Sequence, residues 1–139
     1  MGKRREGREA AVQFLFQDDL NKTVNLSHAL DEFWKLRETP AKTRQFAAGL
    51  IQGVIANREP IDEHIKKVTA NYELHRIAPV DRNILRVAIF EMLYTTEVPP
   101  VVCINEAIEI AKRFGSEDSG RFVNGILDRL KQETTRPLR

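Results

Sequence analysis

The stretch VDRNILRVAIFEMLYTTE, residues 80–97, constrains the fold more than any other part of the chain. Wound at 3.6 residues per turn, Val80, Ile84, Leu85, Val87, Ala88, Ile89, Met92 and Leu93 leave no broad polar side, and a helix apolar on most sides must be enclosed by others. The pattern predicts the central, most buried helix of the protein. Polar groups inside such a helix are costly without partners, which singles out Arg82, Arg86 and Glu91. Arg86 and Glu91 stand five apart and do not face each other. Their expected partners lie on other helices, with Glu106 and Asn105 as candidates that would set the packing register. Asp81 and Arg82, on the first turn, read as exposed and open to a partner protein.

Six further helical segments surround this one. The first runs from about Arg4 to Leu20 with Ala11, Phe14 and Leu15 inward. The second spans about Leu26–Leu36, presents Leu26, Leu30, Phe33 and Trp34, and closes at Thr39-Pro40. The third, about Ala41–Asn57, presents Phe46, Ala47, Leu50, Ile51, Val54 and Ile55, and its Gly49 and Gly53 would permit a tight helix crossing. Glu59-Pro60 opens a fourth with Ile61, Ile65 and Val68, followed by an irregular polar and aromatic connection, Thr69–Ile77.

Near the C-terminus, PPVVCINEAIEIAKRFGSEDSGRFVNGILD encodes two more. Ile104, Ala107, Ile108 and Ala111 line one face, Pro99-Pro100 starts the helix, and Gly115 is placed to end it in the left-handed conformation. Ser116 is a candidate N-cap for the last helix, with Glu117 and Asp118 at its positive end and Val123, Ile126, Leu127 and Leu130 inward. Asn124-Gly125 is out of place there, because a mid-helix glycine costs about 1 kcal/mol relative to alanine. Two readings stand: Gly125 admits a neighbouring helix, or Phe122 and the polar residues before it face a ligand.

Strand periodicity is missing, so the class is all-α: about seven helices in two small packed bundles, about 1–57 and about 58–139, forming one domain. A chain of 139 residues can bury the core this needs. No run of about eighteen apolar residues is present, and no apolar stretch follows the basic start, so membrane insertion and secretion are not expected and the location is read as cytoplasmic.

Chemistry of the usual kinds is not encoded. Cys103 is the single cysteine, and His28, His64 and His75 are scattered, so no metal site is expected. GSEDSG lacks the lysine of a phosphate loop, and no nucleophile elbow occurs. Glu106 with Glu109 and Glu117 with Asp118 read as helix-surface charge, so neither catalysis nor a cofactor is expected. The net charge of only +2 does not announce a nucleic-acid binder, but its distribution points to one end. Lys3, Arg4, Arg5 and Arg8 crowd the first turns of the first helix, interrupted by Glu6 and Gly7. Arg4 and Arg8 repel at i, i+4, and a helix start disfavours cations. The cluster reads either as a solvated terminus or as a phosphate-binding arm.

REAAVQFLF, VDRNILRVAIFE, INEAIEIAK and FVNGILD, four blocks in order over almost the whole chain, resemble the NusB family of bacterial transcription antitermination factors. The resemblance implies two packed helical bundles and an adaptor that binds boxA, a single-stranded element of ribosomal RNA leader transcripts. It implies that the adaptor acts as a heterodimer with NusE, a small-subunit ribosomal protein, within an antitermination complex with RNA polymerase. It favours the phosphate-arm reading and assigns RNA contact to Lys3, Arg4, Arg5, Arg8, Phe16, Lys112, Arg113, Asp118 and Phe122. For Phe16 the residues themselves favour core packing over stacking on a base, and Asp118 would limit nonspecific RNA binding by repulsion. The NusE side falls on Arg76, Asp81 and Arg82, while His75 stands where the family often has an acidic residue. A homodimer hiding the RNA surface is a further expectation of the resemblance. The competing reading is a helical protein-interaction module without specific RNA binding.

Overall fold

The computed structural model describes residues 2–22, 24–69 and 73–133; residues 70–72 of the connection lie outside the described residues. Among the described residues there are seven α-helices and no strand: α1 (Lys3–Asn21), α2 (Leu26–Lys35), α3 (Ala41–Ala56), α4 (Arg58–Val68), α5 (Pro79–Tyr94), α6 (Pro100–Phe114) and α7 (Ser119–Glu133). A single 3₁₀ turn, Leu74–Arg76, precedes α5.

Helix α5 packs against α1, α3, α4, α6 and α7. Ile84, Leu85 and Ile89 are fully enclosed, as its all-round apolar pattern requires. The same core takes Leu15 from α1, Ile51 and Val54 from α3, Ile61 and Ile65 from α4, Ile110 from α6 and Leu127 from α7. Each such side chain contributes about 1.5–3 kcal/mol through burial. Trp34, expected in the core, lies at its edge, half-buried, with its ring 5.0 Å from that of Phe33.

Glycine shapes two of the closest approaches. A Cβ at Gly53 would lie 2.1 Å from Cζ of Phe90, so α3 meets α5 only because that position has no side chain. A Cβ at Gly7 would lie 2.7 Å from Cδ2 of Phe46, which lets this ring lie flat on the start of α1. The expected Gly49–Gly53 crossing is therefore made by Gly53 alone: Gly49 is exposed with open space around it. Gly125 is likewise exposed, and a Cβ there would meet nothing within 4 Å among the described residues, so it does not admit any of the described helices as expected.

Element ends follow local chemistry. The Asn25 side chain accepts from the His28 amide at 2.9 Å and caps α2, and Pro79 and Pro100 open α5 and α6. Lys22 ends α1 at φ 53°, in the left-handed region, with its amide donating to the Asp18 carbonyl. Gly115, expected there too, is instead extended at φ −94° and ψ −167°. Its lack of a side chain serves the turn: a Cβ would stand 2.3 Å from Oγ of Ser119, the atom that accepts from the Ser116 amide at 2.9 Å. That contact closes the α6–α7 corner, so α7 begins at Ser119 rather than after a Ser116 cap.

Candidate nucleic-acid interface

Helix α1 opens with cations at the end where its dipole opposes them, and no side chain caps it. The tertiary structure answers with acceptors from other helices. Arg5 donates to both carboxylate oxygens of Glu106 at 2.8 and 2.7 Å, tying α1 to α6. The pair lowers the Glu106 carboxyl and raises the Arg5 guanidinium. Arg8 donates to both oxygens of Glu91 at 2.7 and 2.9 Å, tying α1 to α5. Burial works against the Arg8 charge, but Glu91 and then Glu106 outweigh it and the guanidinium is held above its ordinary range.

These pairs correct the expectation that all four cations form an RNA arm. The Arg8 side chain is only 6% exposed, so its charge is committed inside the protein, whereas Arg5, with 30% of its side chain exposed, is paired with Glu106 at the surface. Lys3 and Arg4 stay on the surface, Arg4 with 54% of its side chain exposed. Arg4 is held loosely, 3.6 Å from Glu97. Its guanidinium lies 5.1 Å from the Phe46 ring centroid, and that of Arg8 lies 5.4 Å from the same centroid. The repulsion between Arg4 and Arg8 is thus offset by an aromatic ring beneath both and carboxylates beside them. An open groove of about 430 Å³ runs between this turn and Val98, Pro99 and Val102.

Contacts lead onward from this turn across α6 to α7. Glu9 accepts from Arg113 at 3.0 and 3.1 Å, leaving the Arg113 side chain 55% exposed. Lys112, also exposed, packs its Cγ 3.5 Å from where a Gly120 Cβ would stand, at the start of α7. One residue before α7 Asp118 is exposed and bonded to Arg121 at 2.7 Å, and Phe122 is half-buried against the core. Phe16 lines a separate apolar groove of about 410 Å³ with Phe33, Val80 and Phe114, the last adjacent to Arg113. The structure thus ties Arg113 to α1 through Glu9 and sets Lys112 against Gly120, while Asp118 and Phe122 lie at the start of α7.

Arg76, Asp81 and Arg82 belong to another surface. Arg76 is exposed on the 3₁₀ turn. Asp81 and Arg82, expected on an exposed turn, are largely enclosed, because the turn folds over them. Arg82 donates to Asp19 at 3.1 Å and to the Leu74 and Ile77 carbonyls, fastening the turn to α5. Asp81 is 8% exposed, and its Oδ1 has no hydrogen-bond partner among the described residues. A cleft of about 640 Å³ opens beside them, lined by Asp19, Lys66, Glu73, Leu74, His75, Arg82 and Arg86. Asp19, at the far end of α1, is also bonded by Asn83 and Arg86, which hold its carboxyl below the usual range against the effect of burial. Arg5 and Asp19 are fourteen residues apart on one helix, so about 21 Å of α1 separates the two surfaces.

Partners on other helices were expected for Arg86 and Glu91 and are present, but with different identities. Arg86 pairs with Asp62 and Asp19, and Glu91 with Arg8. Glu106 is taken by Arg5, and Asn105 is exposed. Glu9, Glu97 and Phe46 were missed altogether as supports of the basic turn. Only the Arg4–Arg8 repulsion on one face signalled that such supports had to exist.

The NusB family model matches residues 5–132. The transcription antitermination protein NusB of Methylacidiphilum infernorum is 41% identical over 136 residues, covering 98% of this chain and 95% of its own. The structure of T. maritima NusB superposes with a TM-score of 0.84 at 40% identity, covering 94% of this chain and 91% of that one. A chain in the crystal structure of antitermination factors NusB and NusE in complex with dsRNA shares the fold, with a TM-score of 0.85 at 24% identity over 96% of this chain and 98% of its own.

Proposed function

The chain belongs to the NusB family, and from that premise we propose that it is a transcription antitermination factor, an adaptor that binds boxA RNA of ribosomal RNA leader transcripts together with NusE. The observation that carries the RNA assignment is the division of labour in the N-terminal turn. Arg5 and Arg8 are locked to Glu106 and Glu91, and this fixes the turn that presents Lys3 and Arg4 to solvent, while Lys112 and Arg113 are exposed on α6, the latter bonded to Glu9 of α1.

Such a surface suits a single strand. Exposed cations release counterions from phosphates, which gives affinity, and a half-buried ring such as Phe122 can take an unstacked base. Asp118 beside it repels a strand that does not place a base there. NusE takes the opposite end, where Arg76 is exposed and a cleft opens beside Arg82. Separation of the two surfaces lets both be occupied at once, which is what an adaptor between RNA and the RNA polymerase complex needs. A homodimer covering the basic turn would compete with RNA.

The test is fluorescence anisotropy of a labelled boxA RNA titrated with the protein, with and without NusE. Tight binding enhanced by NusE and weakened by salt is the expected result. Binding of NusE with no affinity for RNA overturns this reading in favour of a protein-interaction module.

A further inference from the structure

Tyr94 is the last residue of α5, and it departs from the rule the rest of that helix keeps. Ile84, Leu85 and Ile89 are enclosed, whereas Tyr94 is 42% exposed. Its ring is nevertheless held in place. It lies nearly parallel to that of Phe90 one turn earlier, with centroids 5.6 Å apart and planes within 12°. Phe90 is in turn seated on α3, in the room that Gly53 leaves for it. The result is an aromatic ring whose orientation is set from one side and which stays open to solvent.

The surroundings indicate what such a ring can receive. Gly7 lies against Phe46 and Asp18 meets Arg58, so α1 and α3 run parallel. Arg8 meets Glu91 and Asp19 meets Asn83, so α5 runs the opposite way. From the contact of Gly53 with Phe90, the seam between α3 and α5 therefore leads to Phe46 on one helix and Tyr94 on the other, at the end where α1 begins. Arg4 spans that end. Its guanidinium lies 5.1 Å from the Phe46 centroid and 3.6 Å from Glu97, three residues and at most about 11 Å of chain beyond Tyr94. Lys42, exposed, stands four residues before Phe46 on the same face of α3. Glu97 is 73% exposed, and its contact with Arg4 is loose enough for a phosphate to replace it.

We propose that Tyr94 is a stacking platform for one base of a single RNA strand, with the adjoining phosphate at Arg4 in place of Glu97. A preoriented ring beside surface cations is the combination that binds single-stranded nucleic acid: the ring takes a base and the cations take the backbone. The RNA surface then reaches from the basic turn onto the seam between α3 and α5, as well as onto α6. Every base has a face to stack, so this seat adds affinity and leaves the choice of sequence to other contacts. The proposal rests on the RNA-binding reading above and adds Tyr94 to it.

The experiment compares Tyr94→Ala, Tyr94→Phe, Glu97→Gln and Arg4→Ala with wild type. The readout is anisotropy across a salt series, with labelled boxA RNA carrying short single-stranded extensions at both ends. Each variant is measured well below its own melting temperature, so that a fold defect does not enter. Tyr94→Ala is expected to weaken binding about fivefold or more, the loss of one stacked base. Its salt slope should match wild type, because the ring holds no phosphate, while Arg4→Ala lowers the slope by about 0.7. Tyr94→Phe should keep wild-type affinity, and Glu97→Gln should tighten binding by up to about fivefold.

Wild-type protein that does not bind the RNA at all defeats the functional reading itself. If wild type binds and Arg4→Ala weakens it while Tyr94→Ala does not, the platform alone is overturned. An equal loss in Tyr94→Phe and Tyr94→Ala assigns the effect to the hydroxyl and overturns stacking. Weakened capture of NusE by Tyr94→Ala with RNA binding intact gives the ring to a protein partner and overturns it too. Glu97→Gln that binds no tighter than wild type overturns the phosphate position at Arg4.

Discussion

Arg8 and Glu91 meet through two parallel hydrogen bonds of 2.7 and 2.9 Å, with 6% and 3% of their side chains exposed, 83 residues apart in the chain. This pair decides what the basic cluster at the N-terminus can do. It takes one arginine out of solution and uses it to anchor the helix that carries the others.

Breaking the pair from either side leaves a buried charge without its partner. Arg8→Ala or Glu91→Gln should each lower stability by about 3–5 kcal/mol, and Arg8→Lys should recover little because an ammonium cannot make the two-point contact. Replacing both with apolar residues should cost far less than either single change. Urea unfolding of the four variants measures this, and equal losses in the single and double variants would contradict it.

Arg4 behaves in the opposite way. Arg4→Ala should change stability by less than about 0.5 kcal/mol while lowering RNA affinity and reducing the salt slope by about 0.7. Arg5→Ala should do both, since it removes the Glu106 tie. Unfolding and RNA titration on the same preparations separate the roles.

Acid should loosen the tie between α1 and α6. Arg5 holds the Glu106 carboxyl below its ordinary 4.5. The folded state therefore binds this proton less readily than the unfolded chain. The stabilisation is complete well above 4.5 and fades as pH falls through and below it. Asp19, lowered by Asn83 and Arg86, adds to the same acid-side loss. Glu106→Gln should flatten the stability profile between about pH 5 and 3, measured by denaturant midpoint at each pH.

The α3–α5 contact is limited by a ring. Gly53→Ala should destabilise by about 1–3 kcal/mol, because its Cβ must displace Phe90. Adding Phe90→Leu should restore part of the loss. A Gly53→Ala protein as stable as wild type would show that the ring moves freely.

Lys22 is strained rather than required. A glycine there relieves the left-handed conformation of a residue with a Cβ. Lys22→Gly should raise stability by about 0.5–1 kcal/mol, read as an upward shift in melting temperature.

Much of the architecture was legible in the chain because it depends on periodicity alone. The apolar winding of α5, the inward faces of α1, α3, α4, α6 and α7 and the prolines opening α5 and α6 are all local patterns. Gly49, Gly53 and Gly125 looked alike in sequence and differ in the fold. Only Gly53 faces a ring, and a glycine's purpose is set by what lies opposite it.

The candidate site divided along the same line. The sequence by itself determined that cations gather at the start of α1, that Arg86 and Glu91 on an apolar helix need partners, and that a glycine interrupts α7. Each follows from residue type and spacing. Which acid meets which arginine was decided only when α1, α5 and α6 came together. Ion pairs depend on distance in space, and separations of 101 residues for Arg5 and Glu106 and 83 for Arg8 and Glu91 leave no local trace. The tertiary structure therefore decided that Lys3 and Arg4, not Arg8, remain on the surface.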